Sequence, residues 1–470
     1  MNKMRFYITL ICARLVYFAI KLLNKSSGTS FVGMMTLKIC PDFFSYCKNY
    51  IKTSISITGT NGKTTTSGLL AHILESGQNK VVHNVKGANM LTGIANVFAL
   101  NLAPFRKFDY AVLESDEAYL TKLYDSFKTD CLVVTNLFRD QLDRYGELST
   151  TASFIKNAID KNSNAVLLLN ADDPLVTSLG CDRGKCSNVK LNNGLVKYYG
   201  FENVEFCSNC HNSYSNAPSE VFNCICGNPL KYSKQFFAQE GHYYCDTCGY
   251  KRPEPDFKAD VKIYEDYSIL KVLDVYNAKS YEFRVNLVGL YNAYNALAAI
   301  SQALVLKIDY NIIKDAVLSY RSVFGRAERR DIKGHEALIQ LIKNPTGASE
   351  VLKTVDLSSQ IVIAINDNYA DGRDISWLWD ADFEQLKNTQ NPIVTSGIRA
   401  KDMAVRLKYA GVPQEKIIVK EDLKEAVEYA AENVSKLMAG ADSESVQNAG
   451  GKITILPSYT ALLKISKMKF

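Results

Sequence analysis

The chain has 470 residues, 47% of them hydrophobic, which is enough to build cores for roughly two to four domains and excludes general disorder. A formal charge of +6 is small for this length and no long Lys/Arg run stands out, so composition argues against a nucleic-acid partner while permitting weak attraction to an anionic membrane surface. Twelve cysteines without a secretory context point to a reducing compartment rather than a disulfide framework.

Met4 to Leu23 is apolar enough to suggest a signal peptide or a membrane span, but Arg14 and Lys21 interrupt it and no small-residue cleavage site follows. The pattern predicts an amphipathic helix within an N-terminal segment, residues 1–46, packed on the chain's own core, with membrane-surface contact as the alternative. From Ser54 to Thr66 the chain reads SISITGTNGKTTT: a short strand, a glycine-flanked loop and the start of the apolar helix TTTSGLLAHILESG. That order builds a phosphate cradle. Backbone N–H groups of Gly59, Thr60, Asn61, Gly62 and the helix start around Thr65 point at phosphate, Lys63 adds a point charge, and the Thr64 hydroxyl can ligate magnesium. Ile57 stands where longer phosphate loops have glycine, so the form is the tighter G-T-N-G-K-T. The rival account, a plain glycine turn into a helix, is disfavoured by the strand before and the apolar helix after. ATP or a relative is the expected ligand.

The apolar runs YAVLE (110–114), CLVVTN (131–136) and AVLLLN (165–170) suit buried parallel strands. Glu114 closes the first of them, as strand-end acids in α/β sheets do, facing the crevice where a metal ion could sit. Six cysteines follow between Cys207 and Cys248: Cys207-Ser-Asn-Cys210, Cys224-Ile-Cys226-Gly and Cys245-Asp-Thr-Cys248-Gly. Paired cysteines with a trailing glycine form turns that aim two thiolates at one tetrahedral zinc. Cys224, Cys226, Cys245 and Cys248 are therefore the expected ligands of a structural Zn2+, with Cys207 and Cys210 as competitors for one pair. This segment, about 204–256, looks inserted. NLVGLYNAYNALAAISQALVL then resumes helical periodicity and sets Asn292 and Asn295 three apart on one face, where their amides could meet an adenine edge or serve as exposed caps. A second alternating region carries QIVIAIN (360–366), PIVTSG (392–397), KIIVK (416–420) and KITILP (452–457), interrupted by the polar loop AGADSESVQNAGG.

GTNGKTTT, Thr135-Asn136 followed by RDQLDRYGE, NADDP at Asn170, GLYNAYNALAA from Gly289 and GRAE from Gly325 together resemble the Mur ligases, in the same order along the chain. The resemblance implies an α/β fold with a Mur ligase-type central ATPase domain (47–327), here with an inserted zinc ribbon, and a smaller Rossmann-like C-terminal domain (328–470). It also implies a ligase that uses ATP and Mg2+ to phosphorylate a carboxylate before an amine displaces the phosphate. Arg326 resembles the family arginine that reaches the nucleotide phosphates, with an ordinary ion pair as the rival account. Gln141 in DQLD replaces the histidine that helps hold a second metal in many members, Tyr291 stands where the family often has histidine, and Lys156 falls near a lysine that some members carbamylate. More narrowly, the cysteine insertion, KNPTG (343–347) and NDNYADGRDISWLWD (366–380) resemble the synthetase subunits of lipid II isoglutaminyl synthases over nearly the whole chain. That likeness implies a heterodimer with a GatD-like glutaminase supplying ammonia, lipid II as substrate at the membrane surface, a cytoplasmic protein at the inner face of the cell membrane, and no nucleic acid. The glutaminase nucleophile is expected on the partner, since no cysteine here sits in a G-x-C-x-G elbow. Asp374, in the loop after QIVIAIN, is the acid expected to orient the partner's imidazole, against a simple helix-capping role. Rival functions are a stand-alone Mur-type or folylpolyglutamate synthase-like amino acid ligase, and a zinc-ribbon module that senses nucleotide without turnover. Lys63→Ala is expected to remove turnover while leaving the fold intact.

Overall fold

The computed structural model describes residues 2–22, 29–84, 88–138, 148–180, 195–207, 222–264, 266–321, 326–439 and 451–468. In chain order the strands are β1 (Ile51–Thr58), β2 (Val81–His83), β3 (Phe108–Glu114), β4 (Cys131–Val134), β5 (Val166–Asn170), β6 (Val196–Phe206), β7 (Lys231–Phe237), β8 (Glu240–Tyr244), β9 (Phe257–Ile263), β10 (Ser268–Asp274) and β11 (Lys279–Val285). Nine of them form one sheet in the order β11-β10-β9-β6-β5-β4-β1-β3-β2, parallel from β9 to β2 with β10 and β11 antiparallel at the edge. The apolar runs seen in the sequence become its central strands, buried on both faces. Alternate residues feed two cores. Ile55, Ile57 and Val133 face the helices Lys63–Ser76, Leu290–Val305 and Tyr310–Ser319, while Leu113, Leu132 and Val134 face the helix Leu91–Asn101 and the N-terminal helices. β9 to β11 escape a search for continuous apolar runs because each alternates buried and exposed residues, the pattern of a sheet edge with one wet face.

The second sheet takes β12 (Arg326–Ile332), β13 (His335–Gln340), β14 (Gln360–Ala364), β15 (Ile393–Ser396), β16 (Ile417–Val419) and β17 (Ile453–Pro457) in the order β12-β13-β17-β14-β15-β16, parallel except for the β12–β13 hairpin. Between β6 and β9, which pair directly, lies a separate antiparallel hairpin of β7 and β8 beside the cysteine turns. At the start of the chain, α1 (Asn2–Leu22) and α2 (Thr29–Ile39) pack through Phe6, Leu10, Ala13 and Val32 onto the core under the helix Leu91–Asn101. Most of AGADSESVQNAGG, together with Gln141 and Cys210, lies outside the described residues, as does the side chain of Arg326.

Candidate active site

β1 lies between β3 and β4; the chain leaves β1 toward β2 on one side and leaves β4 toward β5 on the other, so a crevice opens at their carboxyl ends. The register decides what meets there. Ile57 pairs with Glu114 and Thr58 with Val134, which puts the end of β3 on one side of the loop and Thr135-Asn136 on the other. Asn136 accepts Thr60 N–H on its backbone oxygen and Asn61 N–H on Oδ1, each at 2.8 Å, so these two N–H groups, expected to point at phosphate, instead tie the loop to the end of β4, and Thr135 Oγ1 donates to Asn61 O at 2.7 Å. Gly62 has φ +86°, and a Cβ there would stand 1.9 Å from Asn295 Oδ1, so only glycine lets the loop close against that helix. Asn292 and Asn295 are buried rather than exposed caps, and Asn295 Nδ2 donates to Asn292 Oδ1 at 3.3 Å. From the second sheet's side, Asn344 caps the helix Pro345–Lys353 and donates to Asn61 Oδ1 at 3.0 Å.

The two residues expected to share a metal meet. Thr64 Oγ1 donates to Glu114 Oε2 at 2.7 Å, and Asn84 fixes the Glu114 backbone through two bonds of 2.8 Å. A hydroxyl and a carboxylate oxygen on the floor of a phosphate loop are the hard donors a magnesium ion takes. Lys63 is buried, and its Nζ donates to Glu117 Oε1 at 2.8 Å and to Thr60 O at 3.3 Å. Burial opposes the ammonium, but Glu117 and Asp116 outweigh it and hold the Lys63 pKa above its ordinary value. Glu117 was not singled out in the sequence, although ESDE directly after an apolar strand was a usable signal. The buried pair also changes the expectation for Lys63→Ala, since truncation would strand a carboxylate in the interior.

Beside the loop runs a cleft of about 750 Å3 lined by both sheets' elements, with Phe138, Phe237, Tyr291 and Tyr294 as apolar walls and Asn61, Asn295, Lys343 and Asn344 as polar ones. Phe237 comes from the β7–β8 hairpin and lies 5.0 Å, ring to ring, from Phe138. The hairpin therefore reaches from the cysteine turns into the cleft. Gln239 anchors it by donating to Leu137 O at 2.7 Å. Cys224, Cys226, Cys245 and Cys248 bring their sulfurs within 4.8 Å of one another, with 224···248 at 3.5 Å and 226···245 at 3.7 Å. Thiolates about 2.3 Å from a tetrahedral zinc stand about 3.8 Å apart, so this set fits such an ion. Gly227 and Gly249, at φ +86° and +75°, make the turns that fold each pair back. Cys207 is not in the group. Lys156 forms an ion pair with Asp160 at 3.3 Å.

In the second sheet's loop, Asp367 pairs with Arg399 at 2.7 Å and Asp371 accepts Thr460 N–H at 2.7 Å. Asp374 is half-buried, and its two oxygens accept from Ser376 N at 2.8 Å and Ser376 Oγ at 2.9 Å, a turn of Asx type just ahead of the short helix Trp377–Asp380, whose own N-cap is Ser376.

Residues 57–194 match the Mur ligase middle domain family, and residues 341–462 match the MurT ligase C-terminal family. The chain is 34% identical over 471 residues to the lipid II isoglutaminyl synthase (glutamine-hydrolyzing) subunit MurT of Streptococcus pneumoniae (strain ATCC BAA-255 / R6), covering 98% of this chain and 96% of that one. The subunit of the same name from Staphylococcus aureus (strain COL) is 34% identical over 404 residues, 85% of this chain and 86% of its own. Among solved structures, a pseudomurein peptide ligase type C from Methanothermus fervidus superposes with TM-score 0.63 at 23% identity, over 88% of this chain and 79% of that one. Mycobacterium tuberculosis folylpolyglutamate synthase, solved with ADP and AMPPCP, gives 0.59 at 14% identity over 98% and 99%. At such identities these two show a shared fold.

Proposed function

The chain belongs to the Mur ligase family, in the branch of the MurT subunits of lipid II isoglutaminyl synthase, and from that premise we propose that it amidates the α-carboxyl of the D-glutamate residue of lipid II to D-isoglutamine in peptidoglycan synthesis. It is a carbon–nitrogen ligase. The observation that carries the reading, beside the likeness over 98% of the chain, is the meeting of Thr64 and Glu114 at 2.7 Å next to Lys63, in the loop whose Asn61, Gly62 and Thr65 line the cleft.

In this reading ATP lies with its phosphates on Gly59 to Thr65 and its base against Tyr291, Tyr294 and Asn295, and Arg326 takes the phosphate-contacting part that the family likeness gives it. A magnesium ion held by Thr64 and Glu114 supplies positive charge to the phosphates when bound. A carboxylate oxygen of the substrate attacks the γ-phosphorus, the bond to the bridging oxygen of ADP breaks, and an acyl phosphate forms. The Lys63 ammonium and the N-terminal end of the helix Lys63–Ser76 offset the charge that develops. Ammonia then attacks the acyl carbon, a proton leaves the nitrogen, and inorganic phosphate departs. Asn136, which takes the Thr60 and Asn61 N–H groups itself, and Asn344, which meets the Asn61 side chain, hold the loop's shape from either side throughout.

Ammonia comes from a GatD-like glutaminase bound as a heterodimer, and Asp374 orients that partner's imidazole. Support comes from the surface around Asp374, where Tyr369 and Trp379 are exposed and Trp379 meets Tyr409 at 5.6 Å, the aromatic composition of an interface. Cys224, Cys226, Cys245 and Cys248 hold a structural zinc within an inserted ribbon at about 204–256. The domains run 1–46, 47–327 and 328–470, and the complex works in the cytoplasm at the inner face of the membrane, where lipid II is. The test is an amidation assay with lipid II, ATP and either glutamine plus the glutaminase or free ammonia, read by phosphate release and product mass. Both nitrogen sources should give D-isoglutamine. Turnover with an amino acid and without ammonia would mark a stand-alone ligase, and nucleotide binding without phosphate release would mark a sensor.

A further inference from the structure

The N-terminal helix α1 is apolar on two faces. Phe6, Leu10 and Ala13 are buried in the core, whereas Met4, Ile8, Ile11, Leu15, Phe18 and Leu22 are 47–70% exposed. Their spacing of four, four-minus-one, four and so on keeps them within a band of about 80° when each residue turns the helix by about 100°. Lys3 and Lys21 flank this band on one side, while Arg14 beside them and Arg5 opposite donate to Leu102 O and Ile39 O of the chain. α2 adds Phe31 and Met34, each 53% exposed, with Lys38 one turn on. The loop that receives Arg14 at Leu102 O adds the fully exposed Phe105, followed by Arg106 and Lys107.

Charge says what covers this face. Residues 1–41 contain Lys3, Arg5, Arg14, Lys21, Lys25 and Lys38 and no Asp or Glu, so the whole formal charge of +6 resides there and the rest of the chain is neutral. A soluble protein partner of ordinary composition needs no such one-sided charge. An anionic bilayer does: apolar side chains enter the acyl boundary while Lys and Arg reach up to the headgroups. Among the described residues no helix is long and apolar enough to cross a membrane, so the geometry is that of a helix lying in the interface. We propose that the outer face of α1, with Phe31 and Met34 of α2, docks this chain on an anionic lipid surface. This deepens the membrane part of the proposed function and rests on it only for its purpose. The face also has a route to the chemistry. α2 packs so closely on the helix Leu91–Asn101 that a Cβ on Gly33 would stand 1.7 Å from Thr92 O, and Asn84 and Asn89, which bond Glu114, lie just ahead of that helix.

The full chain is mixed with vesicles of phosphatidylcholine, with and without phosphatidylglycerol, and sedimented without substrate or nucleotide. Binding should appear with phosphatidylglycerol, fall with salt, and drop about fivefold for each of Lys3→Gln and Lys21→Gln. Leu15→Asp with Phe18→Asp should abolish it while leaving the melting temperature and ammonia-dependent turnover on detergent-solubilised lipid II unchanged. Equal sedimentation of that double variant, or none of the wild type, overturns the proposal. So does a wild-type dimer that ignores vesicles and becomes monomeric in the double variant, which would make the face a contact between copies. Vesicle failure with intact turnover leaves the amidation reading standing, and lost turnover with intact vesicle binding does the reverse.

Discussion

Glu114 and Glu117, at and just beyond the carboxyl end of β3, are buried against Thr64 and Lys63 of their own chain, whereas Asp374, beyond the carboxyl end of β14, is half-buried with both oxygens turned to Ser376 two residues on. The first region is closed by elements from both sheets: Asn136, Asn295 and Asn344 each hold or pack against the phosphate loop. In the second, Asp371 and Asp367 are tied to Thr460 and Arg399, but the loop presents Tyr369 outward at 78% exposure. Burying a carboxylate is costly unless a partner meets it, so a chain that completes a site by itself places its acids inside, and one that completes a site with another molecule leaves an acid and its aromatic surroundings at the surface.

Breaking the first region should give the largest effect. Lys63→Ala is expected to lower phosphate release by about 10³-fold or more, the scale of removing a preorganised charge from a transition state. It should also lower unfolding stability by about 3 kcal/mol, because Glu117 is left buried without its cation. Adding Glu117→Gln should restore the denaturation midpoint but not turnover. Turnover near wild type would remove the loop from the site, and an unchanged midpoint in Lys63→Ala would show that the buried pair contributes nothing.

Asp374→Asn sharpens the contrast from the other side. Glutamine-dependent amidation should fall by about 100-fold or more while complex formation, ATP binding and turnover with free ammonia persist. The asparagine keeps one oxygen for Ser376, so an Asp374 that only holds this turn predicts almost no kinetic change, and normal glutamine use in the variant would confine the residue to the turn.

The cysteine turns test how far the first region extends. Cys245→Ser should abolish zinc binding, measured by elemental analysis, and loosen the β7–β8 hairpin that brings Phe237 to the cleft. Losing one apolar wall should weaken nucleotide binding by about tenfold, measured by calorimetry. Unchanged zinc content would exclude this ligand set, and zinc loss without any change in nucleotide affinity would detach the hairpin from the site.

The smallest effect concerns the packing behind the loop. Burial pushes the His83 pKa down to about 4, with its Nε2 3.2 Å from Ser67 Oγ on the helix that follows the phosphate loop. Its folded pKa lies below the unfolded value of about 6.5, so the neutral ring supports the fold above that pH and stability falls as pH drops from about 6.5 toward 4. The loss should be on the order of 2 kcal/mol, allowing for solvent that reaches the partly exposed ring. His83→Gln should flatten this part of a stability–pH profile, and an unaltered slope would assign the acid loss elsewhere.

The phosphate loop, the central strands and the cysteine turns were legible in the sequence because each depends on residues close together in the chain: glycines at fixed offsets, runs of apolar residues, thiols two or three apart. The same locality made β9 to β11 hard to see, since their alternation marks an edge whose neighbour only the fold supplies. It also left two cysteine pairs competing for one position beside Cys245 and Cys248. Tertiary structure decided what stands around the loop. Asn344 reaches Asn61 from 283 residues away, and Lys63 pairs with Glu117 across 54, because strand register and the packing of two sheets set those meetings. The N-terminal helix shows the same division. Its apolar content was plain from the sequence, but which of its two apolar faces the core would take, and which it would leave in solvent beside the chain's excess of positive charge, followed only from how α1 and α2 lie on the helix beneath them.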